Sequence, residues 1–385
     1  MAAIPEQAVT LHRLLGVSGG GSGFRHHAEN PLPLDLLVLD EASMVDVSLM
    51  AHLLDALPEQ ARLILLGDRD QLASVEAGAV LGDICQDCEG AGAEFTQRLK
   101  QLSGESLEPG RGDGRLRDQV VLLRHSYRFG SDSAIGRLAS AVNQGQGEEA
   151  RDLLLSEEGA EAIEWIQADP AAYAAQRYAV LFEKLSAGRP VEELFEEQRG
   201  FRVLCALRSG PQGMQQMNRE ITRHLARLGK LTLDSEWYPG RPVIVTRNDY
   251  ALGLYNGDLG LVCPHPQEPD QLVVAFPNAE AETRWVAPAR LSACETVYAM
   301  TVHKSQGSEF REVLLQLPHQ SSPVLCRELI YTAVTRSRER FILSGPEAVF
   351  LPAVEHSLKR QSGLVDLLRE GDIDAALQQD SSPSA

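Results

Sequence analysis

The 385 residues contain no run of about 18 consecutive apolar side chains, so hydropathy offers no membrane-spanning helix. The first residues, Met1-Ala2-Ala3-Ile4-Pro5-Glu6, show no basic stretch followed by an apolar one. No secretory signal is expected, and a cytoplasmic location is the default. Cysteine is sparse and scattered: Cys85, Cys88, Cys205, Cys263, Cys294 and Cys326. This spacing builds no disulfide framework in a chain this long and suits a reducing compartment. Cys85 and Cys88 form a C-x-x-C pair, but no His or Cys nearby completes a zinc set, so two small residues on a helix or turn are expected. Positive charge is also short. Lys and Arg number 36 against 54 Asp and Glu, a formal net charge of −18. That excess argues against bulk attraction to nucleic acid. It leaves room for a narrow basic groove on an acidic body, or for a partner that supplies basic surface.

What is present is apolar material, 43% of the residues, enough for two or three domains of ~100–200 residues each. No internal repeat is visible. Two segments read as flexible loops, Ser18 to Pro33 and Ser103 to Asp118, rich in Gly, Pro or charge. The polar end, Gln378 to Ala385, is expected to be disordered. Leu34 to Leu39 is a continuous apolar run, as in a parallel strand buried on both faces. Leu49, Leu53, Leu54 and Leu57 follow at helical spacing, then a second apolar run from Leu63 to Leu66. Two buried strands joined by a helix make a βαβ unit of an α/β sheet. The second half repeats the logic. Strands are expected at Val120 to Leu123, Phe201 to Leu207, Val297 to Val302, Val313 to Leu317 and Phe341 to Leu343. A helix carries Met214, Met217, Ile221, Leu225 and Leu228 on one face, and another spans about Val324 to Ser337. A small all-β barrel from about residue 234 to 296 interrupts this sheet, with Asn256-Gly257 as a type I′ hairpin signal. Residues 145 to 200 read as mostly helical and acidic, without chemistry.

Five segments carry chemistry. Asp40-Glu41 ends a buried strand, the edge where open α/β sheets collect ligands. Asp40 suits Mg²⁺ and Glu41 an attacking water; an acidic helix start is the plainer alternative. Gln71, in the loop Gly67-Asp68-Arg69-Asp70-Gln71, could reach a γ-phosphate; a polar loop residue is the plainer alternative, less so one βαβ unit after Asp40-Glu41. Arg124 to Phe129 closes another strand, where the Arg128 guanidinium matches phosphate oxygens and Tyr127 could stack on a base. Thr301-Val302-His303-Lys304-Ser305-Gln306-Gly307 gathers donors suited to a phosphate backbone. Tyr331 to Arg338 ends a helix; Arg336 there is either a second phosphate-sensing arginine or a cation on the helix dipole.

Their order, acid pair, Gln loop, Arg strand end, donor-rich strand end and Arg helix end, resembles the RecD family, the alpha subunits of exodeoxyribonuclease V among superfamily 1 helicases that move 5′ to 3′. Leu39 to Met44 resembles the Walker B motif. Leu66 to Ile84 (LGDRDQLASVEAGAVLGDI) resembles the third motif and is the most specific match. Leu123 to Phe129 resembles motif IV, Asn248 to Gly260 the hairpin of the β insert, Thr301 to Phe310 motif V and Tyr331 to Arg338 motif VI. Thr10 to Gly16 resembles an early DNA-contacting motif. The resemblance runs from about Ile4 to Leu343.

It implies two RecA-like P-loop NTPase-type α/β domains, the first partial, with a small all-β, SH3-like insert in the second. Residues 1–124 would be the first, 125–345 the second, 346–385 a C-terminal tail. ATP with Mg²⁺ would bind between the domains. By the same resemblance Asp40 is the Mg²⁺ acid, Glu41 the catalytic base and Gln71 the γ-phosphate sensor. Arg128 and Arg336 neutralise the transferring phosphoryl. Tyr127, Gln306, Gly307 and Glu309, the last near the ribose, contact nucleotide. Thr10, His12, Thr301, His303 and Ser305 contact single-stranded DNA. RecB and RecC subunits are the implied partners. One departure stands out: no segment matches the phosphate-binding loop G-x-x-x-x-G-K-[ST], and only nine residues precede Thr10. The expectation is a fragment of a longer gene product or a truncated homologue. Alternatives are a non-hydrolysing DNA-binding or assembly module, a free-standing RecD-like helicase, and the helicase part of a conjugative relaxase.

Overall fold

A computed structural model describes residues 8–16, 23–74, 78–86, 88, 90–106, 110, 116–123, 126, 129–130, 133–277, 283–358 and 363–370. The chain divides into unit one, Met1–Arg124 with Lys359–Ala385, and unit two, His125–Leu358. The polar segment from Gln378 to Ala385 lies outside the described residues.

Unit one begins with a short helix, α1 (Leu11–Leu15), capped by Thr10 and ended by Gly16 in the left-handed region. Strand β1 (Leu36–Leu39) leads through helix α2 (Val47–Ala56) to β2 (Arg62–Leu65). The strands pair in parallel, Leu36 with Arg62 through Leu39 with Leu65, so the expected βαβ unit is present. Asp46 caps α2, its Oδ1 accepting from the Leu49 N–H at 2.9 Å. Leu11, Leu15, Leu39, Met50, Leu53 and Ala56 form one core, with Leu37 and Leu65 against it. The strands were expected to be buried on both faces, and they are not: Leu36 and Val38 are each 51% exposed, and Ile64 and Leu66 are exposed too. Successive strand residues point to opposite faces, and this core lies on only one of them. Helices α3 (Val80–Ile84) and α4 (Ala93–Ser103) follow.

Residues 120–123, expected as a strand, take no regular structure, and Leu123 is 87% exposed. A strand needs a neighbour for its backbone groups, and among the described residues β1 and β2 pair only with each other. The Gly-rich loop expected up to Pro33 is not loose where described. The Arg25 N–H donates to the Gly16 carbonyl, that of His26 to Leu15, and that of Leu32 to Ala56, each at 2.8–3.0 Å.

Unit two opens with α5 (Ala134–Asn143) and α6 (Gly147–Leu155), then β3 (Ile163–Ile166), α7 (Pro170–Ser186), α8 (Val191–Gly200), β4 (Phe201–Cys205) and α9 (Met214–Arg227). Next come β5 (Pro242–Val245), β6 (Leu259–Pro264), β7 (Leu272–Pro277), β8 (Thr283–Val286) and β9 (Cys294–Thr296). The core sheet resumes with β10 (Ala299–Thr301) and β11 (Phe310–Gln316), followed by α10 (Arg327–Thr335), β12 (Ser337–Ser344) and α11 (Glu347–Glu355). Its order is β10-β4-β11-β12-β3, parallel throughout. Strand β3 lies in the segment read as helical; its four residues, Ile-Glu-Trp-Ile, are too few to declare a period. Helices α7 and α9 bury Ala174, Tyr178, Phe182, Met217, Ile221 and Leu225 against Val203, Cys205, Leu314 and Ile342.

The β insert is an antiparallel sheet ordered β8-β7-β6-β5-β9. Leu261, Cys263, Val273 and Ala275 bury against Leu181 of α7 and Leu194 and Phe195 of α8. The Asn256-Gly257 turn differs from expectation. Type I′ needs positive φ at both residues, yet Glu41 is the only non-glycine with positive φ among the described residues, and Gly257 has φ 99°. With the Asp258 N–H donating to the Tyr255 carbonyl at 3.0 Å, this is the pattern of a type II turn. After β12, α11 packs on α6, whereas α12 (Leu364–Glu370) packs on α3 of unit one. No helix among the described residues is long and apolar enough to cross a membrane.

Candidate nucleotide and DNA sites

In unit one the chain leaves β1 at Asp40 and turns sharply. Glu41 takes φ 52°, ψ 39°, left-handed backbone that a Glu adopts only under constraint. The constraint is visible. The Asp40 Oδ1 accepts from the Glu41 N–H at 2.8 Å, and the Ala42 N–H donates to the Leu66 carbonyl at 2.9 Å. The loop after β2 comes so close that a Cβ on Gly67 would sit 3.1 Å from the Ala42 nitrogen and 2.9 Å from Leu81 Cδ2. Glycine there lets the two strand ends touch.

Gln71 lies in that second loop. Its Nε2 donates to Asp68 Oδ2 at 3.1 Å, and its own N–H to the Asp68 carbonyl at 3.3 Å. Its Oε1 is inaccessible to solvent and has no hydrogen-bond partner among the described residues, and the same holds for Ser43 Oγ beside the acid turn. Asp40 is exposed. A single exposed carboxylate at a strand end is the kind of ligand that Mg²⁺ takes together with phosphate and water, so Asp40 fits that role.

Thr10 and His12 lie on α1. The Thr10 hydroxyl accepts from the Arg13 N–H at 3.4 Å, capping the helix. His12 is exposed, its ring 6.0 Å from that of Phe24, which meets His52 edge-on at 5.1 Å. Tyr127 and Arg128 lie outside the described residues.

In unit two the donor-rich segment leaves the end of β10. Thr301 Oγ1 accepts from the Lys304 N–H at 3.4 Å, shaping a short 3-10 turn over His303–Ser305. Ser305, expected at DNA, is instead fully buried, its hydroxyl donating to the Val302 carbonyl at 2.7 Å. It holds the turn from inside. Gln306 is partly buried, and Gly307 takes φ 74°. Glu309 accepts from Arg338 at 2.6 and 2.7 Å. Arg336, at the end of α10, is 3% exposed, with one guanidinium nitrogen donating to the Ser308 carbonyl at 3.3 Å. The neighbouring hydroxyls are spent locally: Thr335 donates to the Tyr331 and Thr332 carbonyls, Ser337 to Val334.

A family profile described as an AAA domain matches residues 1–77, and one described as a UvrD-like helicase C-terminal domain matches 296–344. The RecBCD enzyme subunit RecD of Mycolicibacterium smegmatis is 41% identical over 94% of this chain and 59% of its own length. That of Haemophilus influenzae is 35% identical over 96% and 60%. Over nearly its whole length the chain is similar to RecD subunits. It spans about 60% of the length of these two relatives. The ATP-dependent RecD2 DNA helicase of Deinococcus radiodurans is 32% identical over 94% of this chain and 43% of its own.

Within this RecD-like chain the structure brings Asp40, Glu41 and Gln71 to one pair of strand ends. It brings Thr301, His303, Lys304, Glu309 and Arg336 to the segments flanking β10 and β12. Two residues beside these segments escaped the sequence reading. Ser43 reads as a helix-start serine and shows itself only through its unpartnered buried oxygen. Arg208, past β4, is an isolated basic residue with no motif around it; its ion pair with Glu295, at 3.4 Å, depends on the fold.

Proposed function

We propose that the chain is the motor part of a RecD-type, ATP-dependent 5′-to-3′ DNA helicase, acting with RecB and RecC subunits in exodeoxyribonuclease V during double-strand break repair in the cytoplasm. The observation that carries the reading is the strained Asp40-Glu41 turn. Left-handed backbone at a glutamate, held by Gly67 and the Leu66 carbonyl, is a feature that folding alone does not need. It fixes two carboxylates at the carboxyl edge of parallel strands, where phosphoryl chemistry finds an acid and a base.

Asp40 would hold Mg²⁺, which supplies charge neutralisation on the phosphate oxygens. Glu41 orients a water and takes its proton as the water oxygen bonds to the γ-phosphorus and the bond to ADP breaks. Gln71 enters with a fixed backbone and an unpartnered Oε1, able to accept from that water. Arg336, with Arg128, answers the charge of the transferring group. Gln306, Gly307, Glu309 and Tyr127 are assigned to nucleotide, and Thr10, His12, Thr301 and His303 to the phosphate backbone of single-stranded DNA.

A version extended upstream with a relative's phosphate-binding loop tests the reading. DNA-stimulated ATP turnover should appear and should fall at least a hundredfold in Glu41→Gln, the low end for general-base loss. Turnover that survives Glu41→Gln refutes the assignment.

A further inference from the structure

The chain carries 18 more acidic than basic charges, yet the proposed DNA contacts Thr10, His12, Thr301 and His303 include no permanent cation. Phosphate binding by such a body needs fixed positive charge somewhere close. Arg208 and Lys304 provide it. Arg208 stands three residues beyond Cys205, the last residue of β4, and Cys205 pairs with Thr301 of β10. Lys304 sits in the turn that Thr301 shapes. Both reach one carboxylate. Arg208 is 3.4 Å from Glu295 Oε1 and Lys304 is 4.0 Å from Glu295 Oε2. Glu295 belongs to β9 of the insert, paired with Ile244 of β5.

We propose that Glu295 positions Arg208 and Lys304 as a two-cation clamp for consecutive phosphates of single-stranded DNA, so that the β insert shapes the DNA groove without touching the strand. This rests on the DNA-binding reading above. Two cations against one acid leave a net positive charge at a strand end. Arg208 remains 64% exposed, while Glu295 is 35% exposed. Its Oε2 is inaccessible and has no hydrogen-bond partner among the described residues. The acid thus sits beneath and the guanidinium faces outward. A carboxylate whose work was to be solvated would keep both oxygens in water. Long basic side chains lose rotamer freedom on binding, and holding them beforehand lowers that loss.

The two roles separate by experiment. Anisotropy of a labelled oligo(dT) of about 20 nucleotides, long enough for one groove, is measured with the 385-residue chain over a salt series. Each lost phosphate contact on a single strand lowers the slope of log K against log salt by about 0.7. Arg208→Ala and Lys304→Ala should each show that loss, and Arg208→Lys should restore the slope. Glu295→Gln should keep the slope, because both cations remain, and weaken binding roughly twofold to fivefold, within the range of a surface charge contact. A bystander acid behaves in the opposite sense, since removing negative charge near a polyanion tightens binding. Tighter binding by Glu295→Gln therefore overturns the clamp, as does an unchanged slope in Arg208→Ala. A wild-type chain that binds no oligo(dT) at low salt overturns the clamp and the DNA reading together. Thermal melts of each variant, matched to wild type, exclude misfolding as the cause.

Discussion

Strand β10 lies at the edge of the core sheet, and a side chain serves the outward backbone groups of Ala299. Asn218 of α9 donates from Nδ2 to the Ala299 carbonyl at 2.8 Å and accepts at Oδ1 from the Ala299 N–H at 2.9 Å. Nδ2 also reaches the Met214 carbonyl at 2.9 Å. The amide stands in for a neighbouring strand. Ala299 is fully buried and Asn218 is 7% exposed, so water cannot replace it cheaply. Asn218→Leu keeps the volume and strands both Ala299 groups. Each buried unsatisfied group costs about 1–3 kcal/mol, so the substitution should remove roughly 4 kcal/mol from a domain whose whole stability is about 5–15 kcal/mol. With a urea slope of about 3 kcal/mol/M, the midpoint should fall by roughly 1.3 M. Tryptophan fluorescence reads the right unit, because Trp165, Trp237 and Trp285 all belong to unit two. Asn218→Asp should be worse at neutral pH, since it sets a carboxylate oxygen against two carbonyls, and should recover relative to wild type as the pH falls toward 4. Because β10 ends at Thr301, oligo(dT) binding should weaken in both variants. A midpoint shift below about 0.3 M, on the order of 1 kcal/mol at that slope, would refute the edge-strand account.

Four further outcomes are expected. The 385-residue polypeptide, whose sequence holds no phosphate-binding loop, should turn over no ATP above a Glu41→Gln control, because P-loop motors hold the β- and γ-phosphates there; DNA-stimulated turnover of the purified chain would show otherwise. In the loop-extended version, Arg336→Ala should lower turnover by ~10³–10⁵, the range for arginine fingers, with nucleotide-free DNA binding unchanged in anisotropy. Glu41→Asn should stabilise unit one by about 0.5–1 kcal/mol, since Asn tolerates left-handed backbone, and should abolish that version's turnover; amide exchange of β1 reads the gain. Burial pushes the Tyr178 phenol up to about 12 and raises Tyr298 and Tyr238 as well. Folded pKa values above the unfolded value of about 10 mean that stability is intact below pH 10 and lost as the pH rises through 12, by on the order of a few kcal/mol; urea midpoints at pH 9 and 11 check it.

Much of the fold was legible because long apolar strands between polar breaks allow few readings. Leu36–Leu39 and Phe201–Cys205 lie inside the runs expected at Leu34 to Leu39 and Phe201 to Leu207, and β11 overlaps the strand expected at Val313 to Leu317. The failures have physical causes. Strand β3 has four residues, and it owes its place to β12, with Phe341 opposite Ile163, a pairing 178 positions away that no local window sees. Residues 120–123 have strand-like composition without a partner. Asn256-Gly257 signalled one turn type and takes another, because Asp258 Oδ2 accepts from the Tyr255 N–H at 2.8 Å and Asn248 Oδ1 from the Asn256 N–H at 2.8 Å, which fixes that backbone from outside the dipeptide. The acid pair and Gln71 were legible as residue types at strand ends. Their geometry was not, since it depends on how closely Gly67 lets two loops approach.

Strand ends rich in polar side chains look alike in a sequence, and the hydrogen-bond census tells them apart. At the end of α10, Thr335 and Ser337 satisfy their hydroxyls on carbonyls one turn back, and Ser305 does the same at the end of β10. Such bonds finish a turn and need no ligand. At the ends of β1 and β2 the account does not close. Ser43 Oγ and Gln71 Oε1 are buried without a partner among the described residues, and Glu41 between them is strained. Each of these conditions is unfavourable by itself, by about 1–3 kcal/mol, and chance would scatter them. Their coincidence within one pair of loops is what a site kept ready for a polar ligand requires, and it supports our proposal that Asp40, Glu41 and Gln71 carry phosphoryl chemistry, while the run of donors after β10 is assigned to the DNA backbone.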